Sequence, residues 1–352
     1  MLNETLQLNG KTILVTGAAG FIGANLVMKL LRECTGCRIV GLDNLNDYYD
    51  VSLKHHRLGQ IEVLAGENQW IFRRGDLADK GALEALFAEF RFDVVVNLAA
   101  QAGVRYSIDH PDVYMESNVI GFYNILECCR RYPVAHLVYA SSSSVYGANQ
   151  KVPYSVEDRV DNPVSLYAAT KKTNELMAHT YSKLYGIPTT GLRFFTVYGP
   201  AGRPDMAYFS FTNKLIRGDT IEIFNYGNCK RDFTYVDDIV EGVGLVMKRP
   251  PVEAVPYRIY NIGNSAPENL LDFVDILQQE LIGAGVLPED YDFESHKRLV
   301  PMQPGDVVAT YADVSELVRD TGFRPRTSLR QGLRSFARWY REYYESEKGE
   351  ER

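Results

Sequence analysis

A chain of 352 residues, 45% hydrophobic and 24% charged, has the composition of a soluble globular protein with one large domain, or a large domain and a smaller lobe. Its net charge of −7 excludes the basic footprint of a nucleic-acid-binding protein, and no apolar run approaches the ~20 residues of a membrane span. The stretch from Met1 to Asn9 lacks the basic and apolar regions of a secretory signal, so the cytoplasm is the expected compartment.

Along the chain, short apolar runs alternate with helical patterns. Strands are predicted at Thr12–Thr16, Arg38–Leu42, Trp70–Arg73, Asp93–Leu98, His136–Ala140 and Thr189–Phe195. Helices are predicted at Phe21–Glu33, Lys80–Phe90, Val113–Arg131 and Leu166–Tyr185. This alternation indicates an α/β fold, a doubly wound parallel sheet of Rossmann type. Near-continuous apolar runs such as Val94-Val95-Val96 suit strands buried on both faces.

After Gly199 the rhythm changes. A Pro/Gly loop, Gly199 to Pro204, leads into helical patterns at Ala207–Arg217 and Asp237–Met247, interleaved with short strands at Ile221–Phe224, Phe233–Val236 and Arg258–Ile262. The expectation is a nucleotide-binding domain over residues 1–199 and a smaller C-terminal α/β substrate lobe over residues 200–352, with some crossing of the chain between them. The charged tail from Glu345 is expected to fray.

Five cysteines are scattered along the chain. Cys34-Thr-Gly-Cys37 has redox or zinc spacing, but without a second pair or a nearby histidine it reads as two reduced thiols in a turn. His55-His56 and the other histidines lack ligand spacing, so no metal site is predicted.

The chemistry lies elsewhere. Gly17-Ala-Ala-Gly20-Phe-Ile-Gly23 follows the first strand and opens the first helix, where glycines admit a tight turn and let backbone approach a pyrophosphate at the helix N-terminus. The loop departs from G-x-G-x-x-G by one extra residue between its first two glycines. Asp43 closes the second strand, where a carboxylate can bond adenosine ribose hydroxyls and repel a 2′-phosphate, favouring NAD over NADP. Asp76-Leu77 and Asn97-Leu98-Ala99-Ala100 end the third and fourth strands, at the carboxyl edge where open α/β sheets bind ligands. Tyr167 and Lys171, four apart in a helical pattern, leave the same helix face, and an ammonium beside a phenol favours the phenolate.

In this order the glycine loop, Asp43, Asn97-Leu-Ala-Ala100, Ser141–Gly147 and Tyr167-x-x-x-Lys171 resemble the extended short-chain dehydrogenase/reductase family, from Lys11 to Arg334. The resemblance implies that Tyr167 is the catalytic base, Lys171 its partner and a nicotinamide-ribose ligand, and Ser142 a hydrogen-bond donor to the sugar oxygen. It implies NAD as cofactor, held by Gly17, Gly20, Phe21, Ile22, Gly23, Asp43, Asn44, Asp76, Leu77, Leu98, Ala99, Ala100 and Ser117 with Tyr167 and Lys171.

Differences choose the branch. Nucleotide-sugar 4,6-dehydratases of this family carry Asp-Glu after the catalytic Thr, where this chain has Ser143-Ser144, which cannot eliminate water by acid–base chemistry at neutral pH. UDP-glucuronate decarboxylases commonly carry an acid in that segment too. Ala99–Ser107 and Arg193–Met206 resemble the UDP-glucuronate 4-epimerases, which implies that Ser142, Ser143 and Ser144 line the sugar site and that Thr196 and Arg203 face the sugar carboxylate. Read alone, Arg203 is a loop charge in a Gly/Pro turn. Arg231 to Asp238 resembles the segment in which Arg231 meets the UDP diphosphate, and Gln303-Pro-Gly-Asp306 the segment by the uridine ribose. Many relatives have Arg at the place of Gln303, so Arg231, with Arg105 as a weaker candidate, is left to serve the diphosphate. A salt bridge for Arg231 and a turn for Asp306 stay open.

The expected partners are therefore a UDP-sugar and a second copy in a homodimer formed through the helices at Val113–Arg131 and Leu166–Tyr185. Two alternatives remain: a 4-epimerase of UDP-glucose or UDP-N-acetylglucosamine, which offers Arg203 no charge, and a non-catalytic NAD-binding regulator, which typically lacks the Tyr or the Lys.

Overall fold

The computed structural model describes residues 5–66, 69–302 and 309–350, with side chains through residue 345. In chain order the first half contains β1 (Thr12–Thr16), α1 (Phe21–Glu33), β2 (Arg38–Asp43), α2 (Ser52–Leu64), β3 (Trp70–Arg74), α3 (Lys80–Phe90) and β4 (Val94–Asn97). Short helices α4 (Tyr106–Asp109) and α5 (Pro111–Tyr114) run through a π-helical stretch, Met115–Ile120, into α6 (Gly121–Arg131); β5 (His136–Ser142) and α7 (Leu166–Tyr185) follow. Then come β6 (Thr189–Phe194), β7 (Thr196–Tyr198), α8 (Ala207–Ile216), β8 (Ile221–Ile223), β9 (Lys230–Tyr235), α9 (Val236–Met247) and β10 (Tyr257–Ile262). The chain ends with β11 (Pro267–Asn269), α10 (Leu270–Gly283), β12 (Lys297–Leu299), β13 (Ala309–Thr310), α11 (Ser315–Thr321) and α12 (Leu329–Glu350).

Seven strands pair in parallel in the order β3-β2-β1-β4-β5-β6-β10. The doubly wound parallel sheet read from the alternating pattern is thus present. Val94, Val95 and Val96 are all buried, because helices cover both sheet faces. One strand differs from the sequence reading. Arg258–Ile262, expected in the C-terminal lobe, forms β10 on β6 and extends the main sheet. Nothing in this five-residue strand pattern encodes which sheet edge it will join. Two smaller sheets carry the rest: β7, β11 and β13 pair with β9, and β8 pairs with β12.

Besides the single-turn α4, four helices have no counterpart in the sequence analysis. α2 looks polar because its buried face includes Lys54 and Arg57 beside Leu53, Leu58 and Ile61. α10 follows the short strand β11 directly, and α11 and α12 follow short irregular segments. On α12, Leu333, Phe336, Ala337 and Tyr340 make a buried stripe at helical spacing, and the helix packs against α10. The tail expected to fray from Glu345 instead continues this helix to Glu350. α7 is bounded as its sequence dictates. The Ser165 hydroxyl accepts from the Ala168 N–H (3.1 Å) as N-cap, and Gly186 ends the helix at φ 67°.

Among the buried polar groups, His136 has a testable consequence. It is fully buried; Nδ1 donates to the Met247 carbonyl (3.1 Å), and Nε2 accepts from the Thr190 hydroxyl (2.9 Å). Burial pushes its pKa down to about 4. An unfolded histidine protonates near ~6.5, so the unfolded state takes up this proton first as pH falls. The stability tied to neutral His136 is complete above about pH 6.5 and lost as pH falls through about 4, a change of about 3 kcal/mol. Urea melts across this range are expected to show that slope, and His136→Gln to flatten it.

Candidate active site

A cleft of about 920 Å³ opens along the carboxyl edge of the main sheet, between the loops after its strands and the β7–α8 segment. At one end lies the glycine loop. Gly17 sits at φ 68°, and a Cβ there would stand 2.8 Å from the Ala99 backbone nitrogen; a Cβ on Gly23 would meet the Gly17 carbonyl at 2.1 Å. Gly20 caps α1 without any side-chain acceptor, so the first N–H groups of the helix, from Phe21, Ile22 and Gly23 beside the cleft, are left for an anion. This end fits a dinucleotide diphosphate.

Asp43 ends β2 beside that loop, 8% exposed. Its Oδ2 accepts from the Ala19 N–H (3.1 Å) and its Oδ1 from the Leu45 N–H (2.9 Å). The loop and the carboxylate therefore hold each other. Asn44 donates to Asp76 (2.8 Å), and Leu77, Leu98, Ala99, Ala100 and Ser117 line the floor between them and the centre of the cleft.

At the centre, β5 and α7 bring Ser142, Tyr167 and Lys171 together. Ser142 is the last residue of β5; its Oγ accepts from the Ser144 N–H and donates to the Ser144 hydroxyl, both at 3.1 Å. Burial pushes the Tyr167 phenol up, opposed by the neighbouring Ser142 hydroxyl and by the charge of Arg203. The sequence reading has Lys171 act on the phenol. Here its Nζ donates to the Ala140 carbonyl (2.8 Å) and lies 6.0 Å from the centre of the Tyr167 ring, while burial pulls its pKa down to about 8. Ser143 follows in a single 3₁₀ turn at the cleft wall.

The far wall carries Thr196, Arg203, Arg231 and Arg105, all on the cleft. Arg203 forms a fork with Asp205, Nε to Oδ1 at 3.0 Å and Nη2 to Oδ2 at 2.7 Å, and its charge is held by that pair. Tyr48 donates to the same carboxylate (3.3 Å). Arg231 on β9 donates to the Lys230 carbonyl (2.9 Å), and Arg105 stacks on Phe224 with 5.6 Å to the ring centre. Asp306 and Gln303 lie outside the described residues.

Four residues of this assembly escaped the sequence reading. Asp205 and Tyr48 bracket Arg203, and Lys54 lies 3.9 Å from Asp43. Arg57, 0% exposed, ties two loops together: it donates to Ala19 of the glycine loop (2.9 Å), to Ala201 (2.9 Å) and Gly202 (3.0 Å) of the loop carrying Arg203, and to Tyr49 (2.7 Å). The available signal was two cations three apart, Lys54 and Arg57, among leucines on one stretch. Among the described residues no cluster of His, Cys, Asp or Glu is placed to hold a metal ion, and no helix is long and apolar enough to cross a membrane.

Residues 13–263, glycine loop to β10, match the NAD dependent epimerase/dehydratase family. The chain belongs to that family. Among its relatives, UDP-glucuronate 4-epimerase 4 of Arabidopsis thaliana is 45% identical, over 97% of this chain and 77% of its own length. Protein CapI of Staphylococcus aureus is 49% identical over 94% of this chain and 99% of its own. The crystal structure of UDP-glucuronic acid 4-epimerase from Bacillus cereus, in complex with UDP-glucuronic acid and NAD, is similar with a TM-score of 0.83 at 31% identity, over 95% of this chain and 100% of that one.

Proposed function

We propose that this chain is a UDP-glucuronate 4-epimerase, interconverting UDP-glucuronate and UDP-galacturonate through a 4-keto sugar. The observation that carries the reading is that Tyr167, Ser142 and Arg203 line one cleft with the glycine loop that opens α1 at its end. NAD, when bound, would supply the acceptor and donor of the C4 hydride. The N–H groups of Phe21, Ile22 and Gly23 would hold its diphosphate, Asp43 its adenosine ribose, and Lys171 its nicotinamide ribose.

Tyr167 takes the proton of the sugar 4-hydroxyl, and Ser142 hydrogen-bonds the same oxygen. Burial disfavours a phenolate here, and the Ser142 hydroxyl and the charge of Arg203 act against that penalty. Ser143 and Ser144 contribute only hydroxyls, so the keto sugar keeps its water, turns over and is reduced. Arg231, assisted by Arg105, binds the UDP diphosphate, and Asp306 the uridine ribose. NMR of UDP-glucuronate with purified protein is expected to show UDP-galacturonate without net consumption of NAD; UDP-glucose epimerised in preference would instead make the chain a neutral-sugar enzyme. Tyr167→Phe is expected to keep fold and cofactor but lose turnover by ~10²–10⁴-fold, the usual scale for a general base.

The sugar carboxylate needs its own control. Oxidation at C4 turns a uronate into a β-keto acid, which loses CO₂ when the C5–C6 bond lies parallel to the carbonyl π system. Thr196 and Arg203 hold the carboxylate out of that alignment; with Nε and Nη2 of Arg203 on Asp205, the donors of its Nη1 side are left for the sugar carboxylate. Arg203→Leu is expected to weaken UDP-glucuronate binding by about 1.5–3 kcal/mol, the scale of a charged hydrogen bond. Mass spectrometry of that reaction is expected to reveal a decarboxylated UDP-4-keto-pentose; unchanged affinity with no such product would leave uronate recognition to another residue.

A homodimer in the cytoplasm, serving polysaccharide synthesis, completes the reading. Supporting the dimer, α7 leaves Leu176 and Leu184 exposed, and the neighbouring helical stretch leaves Ile120 and Tyr123 exposed. Light scattering is expected to give twice the chain mass, and Leu176→Asp with Leu184→Asp to give a monomer; a monomeric unmodified protein removes the dimer.

A further inference from the structure

Lys54 is a charge that the epimerase reading does not use. It sits on α2, 4% exposed, and faces the same end of the cleft as Asp43. Its Nζ donates to the backbone carbonyl (2.8 Å) and side-chain oxygen (2.7 Å) of Asn46, and stands 3.9 Å from Asp43 Oδ1. An ammonium has three donors, so one remains for the Asp43 side. Neither partner is loose. Asn46 holds the ammonium from two atoms, and Asp43 is held by the N–H groups of Ala19 and Leu45.

The charge balance around this pair is one-sided. Arg57, three residues along the same face of α2, is fully buried and makes no ion pair among the described residues; its bonds go to carbonyls and a phenol. Burial lowers the pKa of Lys54 and Arg57 acts in the same direction, against the opposing charges of Asp43 and of Asp47. Within 4 Å, Asp43 is the carboxylate that compensates Lys54. Remove its charge and this end of the cleft presents an ammonium with a donor to spare.

We propose that Lys54 is a specificity residue for the adenosine ribose, a phosphate-competent cation masked by Asp43, so that the choice between NAD and NADP rests on the pair and not on repulsion by Asp43 alone. The proposal rests on the reading that this end of the cleft holds the adenosine ribose. A 2′-phosphate arriving beside ionised Asp43 meets both repulsion and a lysine already matched. Beside an asparagine it meets an ammonium with no carboxylate within 4 Å, held in place by Asn46.

Calorimetry on the cofactor-stripped protein tests this with NAD and NADP as probes. Asp43→Asn keeps the side-chain shape and is expected to raise NADP affinity at least tenfold. Adding Lys54→Met is expected to abolish that gain, and Lys54→Gln, which keeps a donor for Asn46, to do the same; far-ultraviolet circular dichroism and urea melts establish that each variant is folded. A gain of equal size in the double variants would mean that relief of repulsion suffices, and would overturn the proposal, as would no gain in Asp43→Asn. If none of these substitutions moves the affinity for either dinucleotide, the adenosine ribose lies elsewhere and the reading beneath the proposal fails as well. That outcome is distinct from a Lys54 failure, in which NAD affinity does respond to Asp43→Asn.

Discussion

The geometry of the active centre depends on one buried ion pair, Glu175 with Arg193. Arg193 on β6 donates from Nε and Nη2 to the two carboxylate oxygens of Glu175 on α7, at 2.8 and 2.9 Å, and both side chains are about as buried as any in the core. Two charges removed from water are tolerated only when every polar atom is satisfied, and breaking such a pair typically costs about 3–5 kcal/mol. Here the satisfaction is extensive. Ser141 donates to Glu175 (2.7 Å), Arg193 to Tyr146 (3.1 Å), and Tyr146 to Asn261 on β10 (2.7 Å). The network therefore fastens α7, which carries Tyr167 and Lys171 two turns and one turn upstream, to β5 at the residue beside Ser142. The clamp thereby holds the helix of Tyr167 against the strand that ends at Ser142.

A second constraint holds the two ends of the cleft in register. Arg57 is a permanent charge without a carboxylate among the described residues, and it reaches both the glycine loop and the loop that carries Arg203. It fastens a strained segment. Ala201 adopts φ 50°, a left-handed conformation costing a non-glycine residue about 1–2 kcal/mol, and its carbonyl is one of the acceptors. A cation satisfied by carbonyl dipoles costs less than an unpaired one but remains expensive. That expense is consistent with a positioning role between the glycine loop and the loop that carries Arg203.

Electrostatics at the centre also follow from tertiary placement. Tyr167 and Lys171 are both driven toward neutrality by burial, the phenol up and the ammonium down to about 8. The stabilising influences on the phenolate come from Ser142 and from Arg203, which the β7–α8 loop delivers from the opposite wall. Asp205 in turn keeps the Arg203 fork from wandering and tempers its charge.

The one-dimensional pattern determined a great deal. Apolar runs with helical intervals define the parallel sheet, the glycine loop between β1 and α1 requires backbone without side chains, and the four-residue spacing of Tyr167 and Lys171 on α7 puts both on one face. These are local properties, written in neighbouring residues. Other features have no local trace. β10 joins the main sheet because β6 offers a free parallel edge. α2 hides its helical face because two of the residues it buries are Lys54 and Arg57, whose charges are acceptable only beside acceptors supplied from Asn46, Ala19, Ala201 and Gly202. Asp205 and Tyr48 acquire meaning only when chain segments 157 residues apart meet at one carboxylate. Hydrophobic periodicity reports which face of an element is buried, but the partners that make a buried charge tolerable come from distant segments, and only the folded chain selects them.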